Sequence, residues 1–332
     1  MQAILAVTVP FFALVLLGYL AAQRGWLPES AIPGLNAYVL FFALPCLLFR
    51  FGSSLPFGKL IDPTLIAIYI ICALLMVAIT IAVTLRRTTD DGGVDLRDAS
   101  FGALVAAFPN SGFMGVPLLV ALLGDVAAGP VIGAILVDLV LTSTLCLALA
   151  QSSAHRAGDD GRSAIAAAAL SLRGAMTNPL PWAIVIGATF SALDRTLPDP
   201  ADEVVRMLGD SATPVALFTI GAVLWRAGQH AHTRTPVANF LPVALLKLVV
   251  HPALVIAIGA GAIAAGAPVS RFGLIVLTLV AALPSASNVS VLAERYGADN
   301  GRVTRIIMAS TVLAFASFSV LAWAFGVKSG AG

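Results

Sequence analysis

The feature that most constrains this chain is a series of apolar runs long enough to cross a lipid bilayer. A crossing helix needs about 20 apolar residues. Soluble domains average about 25% charged residues, whereas 11% of these 332 residues are charged and 59% are hydrophobic. We therefore predict an all-α integral membrane protein with ten transmembrane helices. The ten runs lie at roughly 4–22, 32–49, 63–85, 101–123, 130–150, 178–193, 204–225, 239–265, 272–293 and 305–325.

Two of the runs carry helix breakers near their middle. The fourth contains FPNSGFMGVP (108–117), and the ninth contains AALPSASNVS (281–290). Proline removes a backbone donor and clashes with the preceding turn, so we expect helices 4 and 9 to be broken. The second run, with FFALPCLLF (41–49), and the seventh, with SATPVALFTIG (211–221), also match five helices apart. The alternative is that these prolines match by chance.

Matches five helices apart predict two related halves, residues 1–151 and 179–332. A cytoplasmic connecting loop over 152–178, with a short surface helix at 163–172, joins them. Because five is odd, the second half must enter the membrane inverted. Inverted repeats with broken helices at corresponding positions are typical of secondary transporters, which bind substrate at the breaks.

The two breaks are therefore the predicted substrate site. Non-helical backbone at membrane depth is tolerated only where it is buried or lines a wet cavity. Helix N-termini at the breaks favour an anion, asparagine amides both donate and accept hydrogen bonds, and glycines leave room for a ligand or a crossing helix. The alternative is a kink whose backbone groups the asparagines satisfy. The candidate substrate-binding residues are Pro109, Asn110, Ser111, Gly112, Gly115, Pro284, Ser285, Ser287 and Asn288.

Charged residues inside apolar runs are a second functional signal, because they are costly in lipid. Asp138 lies in the fifth run, and Lys247 and His251 lie four residues apart in the eighth. Asp138 is a candidate for binding a coupling cation or a proton, and a structural pair with Lys247 is the alternative. Lys247 has a second alternative, which is snorkelling of its long side chain towards the interface. We interpret His251 as a hydrogen-bonded packing residue.

Loop charges predict the orientation of the chain. Cytoplasmic loops carry an excess of Lys and Arg, and alternate loops hold 12 and 6 of these residues. The richer side is expected to be cytoplasmic, so that both termini are periplasmic in a bacterial inner membrane.

The motifs PNSGFMGVPLL (109–119), ALPSASNVSVLAERYGAD (282–299) and LNAYVLFFALPCLLF (35–49) resemble the auxin efflux carrier family of membrane transporters. The resemblance covers essentially the whole chain. It implies a fold similar to that of sodium/proton antiporters and bile-acid symporters, with a scaffold domain and a transport domain. It also implies that Asn110 contacts the substrate and that Pro284 is the crossover proline. Bacterial members are associated with malate, malonate and related organic acids.

We therefore expect a transporter of small mono- or dicarboxylates that works by alternating access. A cation/proton antiporter using Asp138 is the alternative, and an anion channel is a weaker one. Motifs of intramembrane enzymes are absent from the sequence, so an enzyme is not expected. We expect no cofactor beyond coupling to H⁺ or Na⁺, no metal site and no nucleic-acid partner. The expected partners are a small organic carboxylate and the lipid bilayer, and a homodimer through the scaffold helices stays open.

Overall fold

The protein is almost entirely helical in the computed structural model, which describes residues 2–56, 60–86, 94–156, 164–229 and 235–327. The α-helices of the first half are α1 (Gln2–Gln23), α2 (Ile32–Tyr38), α3 (Leu44–Ser54), α4 (Pro63–Arg86), α5 (Leu96–Ala107), α6 (Val116–Leu123), α7 (Ala128–Val137) and α8 (Ser143–Arg156). They are followed by α9 (Ala164–Thr177), α10 (Pro179–Ala192), α11 (Asp199–Gln229), α12 (Val237–Leu245), α13 (His251–Ala264), α14 (Arg271–Ala281), α15 (Val289–Arg295) and α16 (Asn300–Ala324).

Seven helical segments of the described residues are long and apolar enough to cross a membrane. Three of them are pairs of α-helices joined without a break by one wider π turn, at Val39–Ala43, Asp138–Thr142 and Leu246–Val250. A fourth π turn, Ser111–Gly115, leads into α6. The chain is thus a multi-pass membrane protein, as predicted. The seven segments are Ile4–Gln23, Glu29–Ser54, Pro63–Arg86, Asp125–Ser152, Asp199–Gln229, Val237–Ala264 and Asn300–Ala324.

The described residues of the connection between the predicted halves are mostly helical. Helix α8 continues to Arg156, and α9 spans Ala164–Thr177. The sequence of α9 begins AIAAAAL, and alanine and leucine are the strongest helix formers. Position 163 of the expected surface helix lies outside the described residues.

Helix α11 is also longer than its apolar run because the charges in its first turns are paired. Arg206 contacts both Glu203 and Asp210, and Arg50 of α3 reaches Asp210 at 2.7 Å. These pairs lie one helical turn apart or between neighbouring helices, so the polar start of α11 stays helical.

The helices pack as two groups. The outer group consists of α1, α2–α3, α10 and α11, in which α1 packs on α11 and α3 packs on both α10 and α11. The core group consists of α4, α5–α6, α7–α8, α12–α13, α14–α15 and α16. Helix α16 touches both α1 and α11, and α9 lies mainly against α8.

Glycines allow very close contacts within the outer group. A Cβ atom built on Gly221 of α11 would lie 1.8 Å from the carbonyl oxygen of Val15, and one on Gly18 of α1 would lie 1.9 Å from that of Phe218. Small residues let helix backbones approach closely in membranes, where packing drives association. The α1–α11 interface therefore depends on both glycines.

We predict that Gly221→Ala strongly destabilises the protein, because the methyl group has no space at the α1–α11 contact. Fluorescence-detected size-exclusion chromatography and thermal melting of the purified protein would measure this. The matched control is Gly228→Ala in the same helix, where the nearest atom is Met308 Sδ at 3.9 Å. An alanine is favoured over glycine by about 1 kcal/mol in a helix, so the control should melt no lower than the parent. Equal melting temperatures for the two variants would contradict the packing argument.

Candidate functional site at the crossing of two broken helices

The fourth and ninth apolar runs are interrupted where their prolines predict. Helix α5 ends at Ala107 and helical structure resumes at Ser111, which leaves residues 108–110 as the first break. Helix α14 ends at Ala281 and α15 begins at Val289, which leaves residues 282–288 as the second break. The prediction that both helices are broken is confirmed.

The two breaks pair with each other through their backbones. Pro109 and Ser285 form an antiparallel bridge. The N–H of Asn110 donates to the carbonyl of Pro284 at 2.8 Å. The two prolines of the motifs therefore lie at one crossing, as expected from the sequence.

Two further hydrogen bonds complete this pairing. The N–H of Ala286 donates to the carbonyl of Phe108 at 3.0 Å, and the N–H of Ser285 donates to Ser310 Oγ of α16 at 3.2 Å. An unsatisfied backbone group in a lipid interior costs several kcal/mol. Each break thus supplies partners for groups that the other break frees.

The side-chain amide of Asn110 is not used to satisfy the kink. The residue is 4% exposed, and no described residue of the protein hydrogen-bonds with its amide. Its main-chain carbonyl accepts from the N–H groups of Met114 and Gly115 at 3.1 and 3.0 Å. Because main-chain groups already form hydrogen bonds with the backbone groups that the break frees, the side-chain amide of Asn110 is available to a ligand.

The small residues after the first break serve the crossing in different ways. A Cβ atom on Gly115 would lie 2.8 Å from Leu283 Cδ1 of the second break, whereas one on Gly112 would meet no atom within 4 Å. Gly115 therefore lets the two breaks pack, and Gly112 leaves open space. Ser111 is fully buried, and its Oγ donates to the carbonyl of Pro109 at a long 3.4 Å.

The serines of the second break are also buried. Ser285 is 1% exposed, and its hydroxyl has no hydrogen-bond partner among the described residues. Ser287 is 7% exposed, and its carbonyl accepts from Ser290 Oγ at 2.8 Å. A buried hydroxyl without a partner is costly, which makes Ser285 a second unsatisfied polar group at the crossing, beside Asn110.

A cavity of about 670 Å³ lies beside the crossing. Its wall includes Phe108 of the first break and Asn288 of the second. The other polar residues on this wall come from several helices, and the described lining contains no Asp or Glu. They are Asn36, Ser143, Arg173, Thr177, Asn178, Arg295 and Tyr296.

Of the nine substrate-binding residues predicted from sequence, Asn288 alone belongs to the described lining of this cavity. The others form or surround the buried crossing behind Phe108. Sequence reasoning missed Asn36, Ser143, Arg173 and Arg295. In the sequence, Asn36 is a single amide at the edge of an apolar run, and both arginines were counted only as loop charges. No sequence pattern indicates that these residues line the same cavity.

Asp138 is a fully buried carboxylate of the core group, at the start of the π turn between α7 and α8. The hydroxyl of Tyr69 in α4 donates to its Oδ2 at 2.9 Å. Thr142 Oγ1 donates to its Oδ1 at 3.1 Å. Both carboxylate oxygens are therefore held by hydroxyl groups, and Asp138 is not among the described residues of the cavity wall.

Lys247 is also fully buried, in the π turn between α12 and α13. Its Nζ donates to the carbonyl of Ala281, the last residue of α14, at 2.6 Å. The Nζ atom also lies 3.1 Å from His251 Nδ1. The alternative that Lys247 snorkels to the interface is therefore wrong. A cation at a helix C-terminus is favourable, so Lys247 stabilises the end of α14 directly before the second break.

Asp138 and Lys247 do not form the direct ion pair that was the structural alternative. In the described part of the chain, no contact within 4.0 Å joins their charged groups. The ring of Tyr69, which contacts Asp138, and the ring of His251, which contacts Lys247, lie between these two side chains. The ring centroids are 5.9 Å apart. His251 is fully buried and contacts Lys247, in agreement with a packing role, although its Nε2 has no partner in the described residues.

Similar proteins cover the whole length of the chain. A protein named "Putative malonate transporter" from Rhizobium meliloti is 29% identical over 336 residues, covering 100% of this chain and 98% of its own length. Auxin efflux carrier component 8 of Arabidopsis thaliana is 27% identical over 299 residues, covering 76% of this chain and 80% of its own. An uncharacterized transporter of Methanothermobacter thermautotrophicus is 28% identical over 312 residues, covering 92% of both chains.

These relatives are transporters rather than enzymes, and they confirm the resemblance to auxin efflux carriers. The family model described as "Membrane transport protein" matches residues 3–323. The chain therefore belongs to this family of membrane transport proteins.

Proposed function

We propose that the protein is a secondary transporter that moves a small organic anion, a mono- or dicarboxylate, by alternating access at the crossing of the two broken helices. The observation that carries this proposal is the cavity beside the crossing. It offers amides and two guanidinium groups and, among its described lining, no carboxylate. Ligand pockets for small molecules typically measure about 300–1,000 Å³, and a cavity of about 670 Å³ falls in that range.

The position of the cavity favours a carrier over a channel. Asn36, Leu40 and Asn178 of its wall belong to the outer group of helices, whereas Phe108 and Asn288 belong to the core group. A sliding or rocking motion of one group against the other would open and close such a space. This arrangement is what alternating access around a fixed site requires.

The names of two relatives also support an organic acid as the substrate. One relative is named as a malonate transporter and another as an auxin efflux carrier. The identities of 29% and 27% are low enough that a change of substrate is compatible with them. We therefore propose the class of small carboxylates rather than either compound.

The architecture that we propose has ten crossings in two inverted halves, residues 1–151 and 179–332. Seven segments are long enough to cross alone, and three shorter apolar segments supply the rest: Ser111–Leu123, Pro179–Ala192 and Arg271–Ala281. The first and third of these belong to the fourth and ninth runs, which the half-helices α5 and α15 complete. An odd number of crossings per half would give the two halves opposite orientations.

Lys and Arg counts support periplasmic termini in the inner membrane of a bacterium. We predict that a cysteine at position 26, in place of the 76%-exposed Trp26, reacts with impermeant maleimide only from the cytoplasm. An Arg195→Cys variant, in the turn between α10 and α11, should react only from the periplasm. Both variants are made after replacing Cys46, Cys72 and Cys146. The opposite labelling pattern would reverse the orientation.

We further propose that Asn110 and Asn288 bind the substrate carboxylate. Asn110→Ala and Asn288→Ala should each remove a hydrogen bond to a charged group, worth roughly 1.5–3 kcal/mol. Since about 1.4 kcal/mol is a factor of ten, affinity should fall about tenfold to a few hundredfold. Isothermal titration with purified protein gives the dissociation constant, and thermal melting of the same samples reports on folding.

Asn239→Ala is the matched control, because Asn239 is exposed and lies on α12 away from the cavity. It should bind substrate like the parent. If Asn110→Ala lowers the melting temperature but leaves the dissociation constant unchanged, the amide is structural and the binding role is lost.

Asp138 is our proposed coupling residue, with the proton as the coupling ion. It is buried between two hydroxyl donors, and it shares the core group with Lys247, which holds the end of α14. A change in the charge of Asp138 would therefore change the electrostatic potential close to the second break. The competing function, a cation/proton antiporter, would use the same residue but would not require an organic anion.

We predict that Asp138→Asn abolishes uptake against a gradient in proteoliposomes while substrate exchange at equal concentrations continues. Asparagine keeps the size of the side chain but cannot carry the negative charge. The control is Asp125→Asn, which changes an exposed acid at the start of the same helical segment and should leave accumulation of substrate normal. Concentrative uptake that survives Asp138→Asn would assign the residue to structure.

A further inference from the structure

Two arginines lie on the wall of the cavity. Arg173 comes from α9, the helix between the two predicted halves, and Arg295 is the last residue of α15. We propose that Arg173 and Arg295 are specificity-determining residues that each bind one carboxylate, so that the cavity selects small dianions over monoanions of equal length. This proposal rests on the transport function proposed above.

Both guanidinium groups are free to bind a ligand. Each side chain is exposed to the cavity. No hydrogen bond or ion pair links either one to another described residue. Other arginines of the chain are engaged: Arg50 and Arg206 pair with carboxylates, and buried Arg302 donates to the main-chain carbonyls of Asn239 and Asp98 at 2.9 Å.

The positive charge of the cavity wall favours an anion with more than one negative charge. Two positive charges face one space whose described lining contains no Asp or Glu. Like charges in a low-dielectric cleft repel each other and focus a positive potential into it. One carboxylate neutralises one of these charges, whereas a dianion neutralises both.

The chemistry of arginine also suits this role. A guanidinium presents parallel N–H donors that match the two oxygens of a carboxylate. Thr177, Asn178 and Asn288 lie on the same wall and can donate further hydrogen bonds to a bound acid. Because the two arginines belong to different helices, a dianion bound by both would bridge α9 and α15.

The test compares acids of equal chain length in which a second carboxylate replaces a methyl group, malonate against propionate and succinate against butyrate. Dissociation constants are measured on full-length purified protein at constant ionic strength, at a pH where every carboxyl group is ionised. For the parent protein, each dianion should bind at least about tenfold more tightly than its monoanion, the effect of one added charge-assisted contact. Arg173→Gln and Arg295→Gln should each bring this ratio close to one.

Three further variants make the outcome specific to the two guanidinium groups. Arg173→Lys and Arg295→Lys keep the charge but lose the paired donors, so their ratios should be intermediate. Arg271→Gln is the matched control, because Arg271 is exposed at the start of α14, away from the cavity wall. It removes one positive charge and should keep the parent ratio. Monodisperse elution and an unchanged melting temperature establish that each variant is folded.

The results separate this proposal from the proposed function. If the parent binds dianions preferentially and neither glutamine variant changes the ratio, the arginines do not select charge and the proposal is overturned, while organic-anion transport stands. If Arg271→Gln lowers the preference for dianions as much as the cavity variants do, the overall electrostatic potential of the protein is responsible for the preference. The proposal is then overturned as well. A parent protein that binds none of the four acids would overturn both.

Discussion

The backbone pairing between the two breaks is the interaction on which the rest of this structure depends. A helix interrupted in a lipid interior exposes donors and acceptors that the surroundings cannot satisfy. Here the bonds from Asn110 to Pro284 and from Ala286 to Phe108 meet that need between the two breaks. Neither break would be stable without the other, so the fourth and ninth runs must cross at one point.

This pairing has a consequence for the asparagine beside it. In many kinked helices a polar side chain caps the freed backbone. At this crossing the opposite backbone does so, and the amide of Asn110 and the hydroxyl of Ser285 are left without partners in the described structure. A buried hydroxyl without a partner is costly, so Ser285 and the unpaired amide of Asn110 beside it support the binding role proposed for this crossing.

Two buried titratable side chains, Asp138 and Lys247, lie within the core group of helices. The ammonium group of Lys247 binds the carbonyl end of α14, and Asp138 is held by hydroxyl groups from α4 and from its own π turn. A carboxyl and an amine group that lie in one helix group without a direct contact can each respond at a distance to a change in the other's charge. The π turns that carry both residues fit this interpretation, because such turns are rare and occur frequently at functional sites.

The sequence predicted the broken helices well because proline acts locally. Pro109 and Pro284 cannot continue the helical hydrogen bonding, whatever surrounds them. Other features depend on tertiary structure and could not be predicted. Lys247 lies only about seven residues into its run, which suggested snorkelling, but packing of α12–α13 against α14 buries it completely.

The residues of the cavity wall could not be predicted from the sequence for the same reason. Arg173 and Arg295 are 122 positions apart in the chain and were two loop charges among twelve. Only the folding of α9 into a helix against α8, and the short length of α15 after the second break, bring them to one space. A break in a helix follows from a local residue such as proline, whereas the lining of a cavity depends on which helices pack together.

The glycine contacts of the outer group hold two of its helices unusually close together. Backbones of α1 and α11 touch at Gly18 and Gly221, so this group has little room for internal movement. The core group is held together separately by the paired breaks. The cavity lies where the two groups meet, with Asn36 on one side and Asn288 on the other. In the transport cycle proposed above, the outer group and the core group would move relative to each other, and that motion would expose Asn288 to a different side while the breaks stay paired.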